Sequence, residues 1–377
     1  MMLVATRGGD RSLLGRWWWS VDRWTLIAMI MLAAVGMILT MAAGPSAAQR
    51  IGLSPMHFVQ HQFLFLAPAL IVMFAVSTLS PKNVRRLGVL GFGLGFILLI
   101  STLFFGNDVK GASRWITLGG LTIQPSEFVK PCLAIIAAWL LALAREKPEV
   151  PGRLIAALLY IGVCGLLVLQ PDFGMTMVVA VIGFVQFFLA GLPLIWVLLT
   201  IALVLGVAFG AYTLLPHVAA RIDRYLDPST GDTYQVDVSL RALQNGGLLG
   251  RGPGEGSVKS LLPDSHTDFV FAVAGEEFGL LACMGIVALF GFIVLRGFSR
   301  ALKDSSLFVV LAVAGLLTQF GLQALVNIGV TLQLLPAKGM TLPFISYGGS
   351  SMIATALGLG MVLALTRART HEWRPTP

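Results

Sequence analysis

Residues 24–43 read WTLIAMIMLAAVGMILTMAA, a run without a single charged residue. An α-helix of about 20 apolar residues spans the ~30 Å hydrocarbon core of a bilayer. Similar runs recur along the 377-residue chain, which is 56% hydrophobic and 12% charged, with a mean hydropathy of +0.85. These runs lack the alternation of apolar and polar residues that barrel strands show. Helices are the other structures that satisfy all backbone hydrogen bonds in lipid. The sequence predicts an all-α polytopic membrane protein.

The charged residues orient the spans. We predict ten, at 24–43, 60–79, 87–105, 126–144, 154–169, 173–190, 194–214, 269–295, 306–328 and 345–366. With both termini in the cytoplasm, the inner segments hold 16 of the 26 basic residues and six acids, and the outer side holds 10 basic and 12 acidic residues. Because basic residues concentrate in cytoplasmic loops, we predict cytoplasmic tails at 1–23 and 367–377 around a membrane domain at 24–366. Topology explains the basic excess, and no nucleic-acid partner is implied.

One outer connection, residues 215–268, is much longer than the others. It contains glycine-rich pieces and an amphipathic run, YQVDVSLRALQ (234–244), that is suited to the membrane surface. Long ordered loops tend to be functional. Its GRGPGEG stretch lacks the strand and helix of a dinucleotide-binding motif, so we interpret it as a turn-rich loop. His57 and His61, spaced for one helix face, lack a third metal ligand nearby in sequence, so interfacial polar residues are favoured over a zinc site.

Four acids fall between Asp264 and Glu277, where this outer segment meets the next apolar run. Ser265 and Asp268 have the spacing of a helix-capping box, which is one interpretation of the stretch. Glu276 and Glu277 lie too far along to be caps. Buried carboxylates have raised pKa values, which suits a general base. The cluster therefore provides candidate bases at the mouth of a span.

Basic residues accompany these acids on the outer side. Arg114 lies in an outer loop, and Lys338 lies in a loop rich in proline and glycine. Glu127 and Lys130 are three residues apart at the start of the fourth span; a helix cap would account for Glu127 but not for Lys130, which is one turn deeper. We predict an outward-facing cavity with a candidate base and several candidate phosphate binders.

These same stretches resemble the SEDS family (shape, elongation, division and sporulation) of peptidoglycan polymerases. The resemblance extends over nearly the whole chain. It is carried by GASRWI (111–116), IQPSEF-VK (123–130), QPDFG (170–174), NGGLLGRG (245–252), HTDFVFAVAGEEFG (266–279) and LPAKGMTLPFISYGGSS (335–351). Lys338 and Thr341 favour the cell-division branch of the family over the elongation branch.

The resemblance implies a glycosyltransferase that polymerises lipid II on the outer face of the cytoplasmic membrane. The growing glycan would be joined through its anomeric carbon to the 4-hydroxyl of an incoming lipid II, with inversion and release of undecaprenyl pyrophosphate. A divalent cation, Mg²⁺ or Mn²⁺, could assist, and no nucleotide or organic cofactor is expected. The implied partners are lipid II, a class B penicillin-binding protein with transpeptidase activity, and other membrane proteins of the division machinery at the septum.

The family's essential carboxylate corresponds to Asp268, the predicted catalytic base. Glu276 and Glu277 are assigned a supporting role. Substrate binding is assigned to the other polar residues of these motifs: Arg114, Glu127, Lys130, His266, Thr267, Lys338 and Ser346. Three alternatives stay open: an elongation-type polymerase, a lipid II flippase, and a division scaffold without enzymatic activity. The ionisable residues are concentrated in the outer half, which favours chemistry there over passage through the bilayer.

Overall fold

The computed structural model describes residues 13–109, 112–118, 121–191, 234–336 and 339–368, with isolated positions between 193 and 223. Its elements, in chain order, are α1 (Leu13–Ser20), α2 (Arg23–Arg50), α3 (His57–Ser77), α4 (Pro81–Phe105), β1 (Asn107–Val109), β2 (Ala112–Leu118), β3 (Leu121–Ile123), α5 (Pro125–Glu146), α6 (Gly152–Leu169), α7 (Phe173–Leu189), α8 (Tyr234–Gly246), a 3-10 helix (Val258–Leu261), α9 (Val270–Ala301), α10 (Leu307–Thr331) and α11 (Gly349–Leu365).

The predicted all-α membrane architecture is confirmed. Among the described residues, seven helices are long and apolar enough to cross a bilayer, and α7 and α11 are shorter apolar helices. These nine correspond to nine predicted spans, whereas most of the remaining span, 194–214, falls outside the described residues. The predicted amphipathic run forms α8, which buries Val238 and Ala242 in a small cluster with Phe269.

The core lies around α5, α10 and α11. In α5 and α10, 78% and 67% of the most apolar window is buried, against 28% in α3, α4 and α6, which present apolar faces outward. Glycines let α4 approach α5 closely. A methyl group on Gly95 would lie 2.9 Å from the side chain of Val129, and one on Gly88 would lie 2.6 Å from Ile135. The first turns of α5 are thereby held inside the bundle.

Two features, a small sheet before α5 and a break in α9, were not predicted. Strands β1, β2 and β3 form a short antiparallel sheet, with Asn107 opposite Trp115 and Ile116 opposite Ile123. The second feature is a break in α9 at Gly279, whose φ of 79° and ψ of −179° are not helical. The segment 247–252 bonds across this break: Arg251 N and Gly252 N donate to the carbonyls of residues 276 and 277, and Leu280 N donates to Gly247 O.

A non-helical segment, 339–348, precedes α11 and enters the bundle. Leu342, Phe344 and Ile345 are at most 2% exposed. Gly36 of α2 allows this entry, because a Cβ there would clash with the Phe344 carbonyl. Irregular backbone at membrane depth is tolerated where protein buries it or where it lines a cavity. The predicted tenth span therefore begins its helix four residues later than expected, at Gly349 rather than at 345.

Helices α2 and α9 are fastened together near both ends. On the side of the chain termini, Asp22 accepts hydrogen bonds from Arg296 at 2.7 and 2.8 Å, and Arg300 lies 3.4 Å away. Burial would raise the pKa of Asp22, but hydrogen bonds from Arg296 and Thr25 outweigh it and lower that pKa. At the opposite end, Lys259 donates to Ala42 O at 3.0 Å and pairs with Glu277. These contacts fix the start of α9 relative to α2.

Candidate active site

The chain before α9 and the chain before α11 are bonded to each other. Tyr347 N donates to His266 O at 2.9 Å, and Ser346 Oγ donates to Thr267 O. Ser346 Oγ also accepts from Leu342 N at 2.8 Å, which closes the turn in its own segment. Ser346 is 3% exposed. The predicted substrate-binding residues His266, Thr267 and Ser346 are therefore brought together, and Ser346 holds the two segments in register.

Asp268 lies at this junction, immediately before α9. Its backbone N–H and that of Thr267 donate to Asp264 O, each at 3.1 Å, in a turn where Asp264 has a φ of 55°. The side chain of Asp268 is half-buried and lies against Gly339: a Cβ on that glycine would be 2.6 Å from Asp268 Oδ2. Only glycine leaves this carboxylate its observed position.

The capping-box interpretation of Ser265 and Asp268 is wrong. Helix α9 begins at Val270, its N-cap residue is Phe269, and no side chain caps it. Ser265 is 1% exposed, and its Oγ has no hydrogen-bond partner. Instead of a capping box, a backbone turn precedes the helix, in which the Asp264 carbonyl accepts from the N–H groups of Thr267, Asp268 and Phe269.

Lys130 has a buried carboxylate partner. Helix α5 begins at Pro125, as expected, which places Glu127 in the first turn and Lys130 one turn further. The Lys130 ammonium lies 3.0 Å from Glu127 Oε2, 3.3 Å from Met175 Sδ and 3.4 Å from Gln323 Oε1. Glu127 is 2% exposed and Lys130 is 1% exposed. The pair at this position is therefore a desolvated one, embedded in the bundle rather than displayed on the surface.

Helix α10 connects Lys130 with the Asp268 junction. Gln323 Nε2 donates to Thr341 O at 3.2 Å, and Thr341 Oγ1 lies 2.7 Å from Ser351 Oγ. One turn along, Asn327 Nδ2 donates to Asp268 O at 2.8 Å and to Met340 O at 2.6 Å. These two amides were missed in the sequence, although Gln319, Gln323 and Asn327 form a polar stripe at four-residue spacing inside an apolar run.

Arg114 contacts a different part of the chain. Its guanidinium donates to the carbonyls of Gln170 and Pro171 and lies 3.6 Å from Asp172 Oδ2. Asp172 also caps α7 by accepting from Met175 N at 3.2 Å. Met175 in turn contacts Lys130. The sheet, the QPDFG turn and the start of α5 therefore form one continuous set of contacts. With 31% of its side chain exposed, Arg114 lies at the edge of this set.

Glu276 and Glu277 hold the outer segment in place. The Glu276 carboxylate accepts from Asn245 Nδ2, Val258 N and Lys259 N at 2.7 to 2.9 Å, an arrangement that we call the Glu276 anchor. Glu277 pairs with Lys259, and its Oε2 is buried without a hydrogen-bond partner. Both glutamates are at most 1% exposed. Sequence reasoning grouped them with Asp268, whereas the structure directs them into the folded outer segment.

The histidines form an aromatic group near the junction. His266 stacks on Phe58 with ring centroids 4.0 Å apart, and His57 and His61 face each other at 4.2 Å, with His61 Nδ1 bonded to His57 O. Burial lowers the pKa of His266 to about 4, against the opposing effect of Asp264. His266 is therefore neutral at pH 7. Lys338, the remaining predicted phosphate binder, lies outside the described residues, directly before Gly339.

Comparisons with known proteins agree with this architecture. A family model described as Cell cycle protein, covering FtsW, RodA and SpoVE, matches residues 23–371. A probable peptidoglycan glycosyltransferase FtsW from Caulobacter vibrioides is 44% identical over 361 residues, covering 96% of this chain and 93% of that protein. A protein of the same name from Coxiella burnetii is 37% identical, covering 92% and 96%.

Solved structures are similar as well. A chain from a peptidoglycan synthase complex that coordinates polymerization and crosslinking has a TM-score of 0.76 at 32% identity, covering 92% of this chain and 97% of that one. The rod shape determining protein RodA of Thermus thermophilus has a TM-score of 0.67 at 30% identity, covering 93% and 97%. The resemblance found in the motifs, including its tendency towards the division branch, is confirmed.

Proposed function

This chain belongs to the FtsW, RodA and SpoVE family of cell cycle proteins, and on that premise we propose that it is a peptidoglycan glycosyltransferase of the cell-division branch. Its substrate is lipid II, and its product is an uncrosslinked glycan strand. The names of its curated relatives support this activity. The site lies at the first turns of α5, α9 and α11, and the charge pattern of the sequence supports an outward position for these turns, within reach of lipid-anchored sugars.

The observation that carries the proposal is the placement of Asp268. Its backbone is fixed by Asp264 and Asn327, and its half-buried carboxylate faces the non-helical segment before α11. In the proposed step, Asp268 takes the proton from the 4-hydroxyl of the incoming lipid II. The hydroxyl oxygen bonds to the anomeric carbon of the growing glycan as the bond to undecaprenyl pyrophosphate breaks, so the α-linked donor becomes a β-linked product. General-base assistance of this kind contributes about 10²–10⁴-fold.

The departing pyrophosphate needs positive charge, which we assign to Lys130, Arg114 and Lys338. Lys130 is buried against Glu127, so it acts across a low-dielectric interior where charge is weakly screened. Arg114 is oriented by the carbonyls of the QPDFG turn and keeps part of its side chain exposed for an incoming group. Glu127 keeps the Lys130 ammonium in place, and His266, Thr267 and Ser346 shape the wall beside the acceptor sugar.

Among the described residues, no group of three His, Cys, Asp or Glu side chains could hold a metal ion by itself. Mg²⁺ is often bound by one or two carboxylates together with substrate phosphates. A requirement for Mg²⁺ or Mn²⁺ would then be met by ligands that the diphosphate brings, and the proton transfer to Asp268 does not depend on it.

We also propose the cellular setting. The similar chain of known structure comes from a complex that couples polymerization to crosslinking, which supports a class B penicillin-binding protein as partner. The family name and the division-type relatives support a place at the septum among other division proteins. The excess of basic residues on the predicted inner side supports cytoplasmic termini.

The test uses the full-length protein with and without its cognate class B penicillin-binding protein. Labelled lipid II is supplied with divalent cation, and glycan polymer is separated on a gel for wild type, Asp268→Asn and Asp264→Asn. Asp264→Asn is the matched control, because asparagine tolerates the positive φ of that turn. We expect polymer from wild type and from Asp264→Asn and none from Asp268→Asn.

Other outcomes have definite meanings. Equal polymer from Asp268→Asn would reject the catalytic assignment. If wild type gave no polymer with its partner present, the polymerase proposal would fail, and a flippase or a scaffold would become the better account.

A further inference from the structure

We propose that Gln323 and Asn327 are positioning residues of the transfer, which fix the Lys130 ammonium and the Asp268 main chain relative to each other. The inference rests on the proposed function. It concerns two side chains that lie one helical turn apart on α10, both 1% exposed and both bonded to residues of the site.

Gln323 uses both ends of its amide. Its oxygen is 3.4 Å from Lys130 Nζ, and its nitrogen donates to Thr341 at 3.2 Å (O) and 3.3 Å (Oγ1). Lys130 can only donate and the Thr341 carbonyl can only accept, so the residue between them must accept at one end and donate at the other. A carboxylate at this position would lose the donor, and an apolar side chain would lose both bonds.

Asn327 makes the corresponding connection to Asp268. Both of its short hydrogen bonds come from Nδ2, to Asp268 O at 2.8 Å and to Met340 O at 2.6 Å. An amide nitrogen carries two hydrogens, and these two carbonyls can use both of them. Asn327 therefore ties the entry of α9 to the segment before α11, next to the glycine against which the Asp268 carboxylate lies.

Through these two amides, α10 is bonded to three separate segments and fixes their positions relative to one another. Gln323 holds Thr341 and Asn327 holds Met340, so consecutive carbonyls of one segment are fixed from one rigid helix face. The same face holds Lys130 of α5 and Asp268 before α9. Catalysis is sensitive to such placement, since a shift of about 1 Å in a reacting group costs about 10²-fold in rate.

The competing interpretation is that these are ordinary buried amides that satisfy nearby carbonyls. Such residues would affect stability and not turnover. Gln319 separates the two interpretations. It lies one turn deeper on α10 and is 7% exposed, and its Oε1 has no hydrogen-bond partner. It is a matched control with the same side chain, the same helix and the same stripe, without a described contact to Lys130, Asp268 or the segment before α11.

The experiment compares Gln323→Met, Asn327→Leu and Gln319→Met in the full-length protein with its partner. Initial rates over a series of lipid II concentrations give kcat and KM, and thermal unfolding gives the folded fraction. We expect kcat to fall about 10- to 100-fold for Gln323→Met and Asn327→Leu. We expect KM to change by less than about threefold, because most of the substrate contact area is untouched. Gln319→Met should keep the wild-type kcat.

A second variant protects the test against loss of folding. Gln323→Glu keeps an acceptor for Lys130 and removes the donor to Thr341, so it should fold and lose part of the kcat. Wild type and Asp268→Asn are run in parallel. If wild type polymerises but Gln323→Met and Asn327→Leu match Gln319→Met in kcat per folded molecule, the positioning role is overturned. If wild type itself makes no polymer, the proposed function fails and this inference fails with it.

Discussion

Asp268 and Glu276 are eight residues apart at the entry to the same helix, yet they occupy opposite kinds of environment. Glu276 is fully buried, and its two oxygens accept from three donors of the outer segment. Asp268 is half-buried, is held through its main-chain carbonyl by Asn327, and points its carboxylate at Gly339. The Glu276 carboxylate holds folded segments together, whereas the Asp268 carboxylate is positioned in the site by hydrogen bonds to the main chain of Asp268.

The comparison teaches that burial alone does not identify a catalytic acid. Glu276 is buried and accepts from three donors in residues 245–259, so its carboxylate holds those residues in place. Asp268 is fixed through its main chain, and its half-buried carboxylate lies against the segment before α11, where it is proposed to accept the proton. Variants that act on one of the two environments and spare the other test this distinction.

The largest effect is expected at the break in α9 at Gly279, three residues after Glu276. Gly279→Ala places a side chain at a φ of 79°, and its Cβ would clash with Gly250 N and Leu248 O. Strain at such a position costs about 1–3 kcal/mol before the clash is added, so we expect the free energy of unfolding to fall by about 3 kcal/mol or more. Thermal unfolding of the purified protein measures this.

Gly285→Ala is the matched control. It lies on the same helix, and a Cβ there meets nothing within 4 Å, so it should leave the melting temperature near that of wild type. A Gly279→Ala protein as stable as Gly285→Ala would show that the crossing of segment 247–252 over the break contributes little.

A smaller effect, on activity rather than folding, is expected at Gly339. In Gly339→Ala the new Cβ would lie 2.6 Å from Asp268 Oδ2, so the carboxylate must move while the fold is kept. We expect polymerisation to fall about tenfold or more through misplacement of the base, with little change in melting temperature. Wild-type activity in this variant would argue that the observed carboxylate position is not the reactive one.

A separate effect, on how stability depends on pH, is expected at His266. The pKa of His266 is lowered from 6.5 to about 4 by burial, so between these values the unfolded chain binds a proton that the folded chain does not. Stability should therefore decrease as pH falls from 6.5 towards 4. His266→Phe keeps the stacking on Phe58 and removes the titration. Melting temperatures measured across this range should depend less on pH in His266→Phe; equal slopes would contradict the assignment.

Much of the fold could be predicted because a helix needs about 20 apolar residues to cross the hydrocarbon core of a bilayer. Apolar runs of span length gave nine helices that the structure describes, and only their ends were misplaced, as at Gly349, where contacts with His266 and Thr267 delay the helix. The three-stranded sheet was missed because two strands have only three residues each and the third, ASRWITL, does not alternate apolar and polar residues. The break at Gly279 depends on bonds to residues 247–252, which lie far away in the sequence.

The site was predictable where partners are close in the chain. Lys130 was left unexplained by a helix cap, and Glu127, three residues earlier, is its partner. Asn327 contacts Asp268, which is 59 positions away in the sequence, and Gln323 contacts Lys130, which is 193 positions away. No local sequence pattern reveals such contacts. Glu276 and Glu277 were placed with Asp268 because sequence shows their spacing and not the direction of their side chains.

The most direct test compares two isosteric changes, Asp268→Asn and Glu276→Gln, by measuring lipid II polymerisation per folded molecule together with the melting temperature. We predict that Asp268→Asn keeps the wild-type melting temperature and loses at least about 10²-fold in activity. Glu276→Gln should be destabilised by about 2–3 kcal/mol, since the new amide nitrogen would face either Lys259 N or both Asn245 Nδ2 and Val258 N, all of which are donors, while its folded fraction stays active. Loss of activity per folded molecule in Glu276→Gln, with Asp268→Asn still active, would contradict the account.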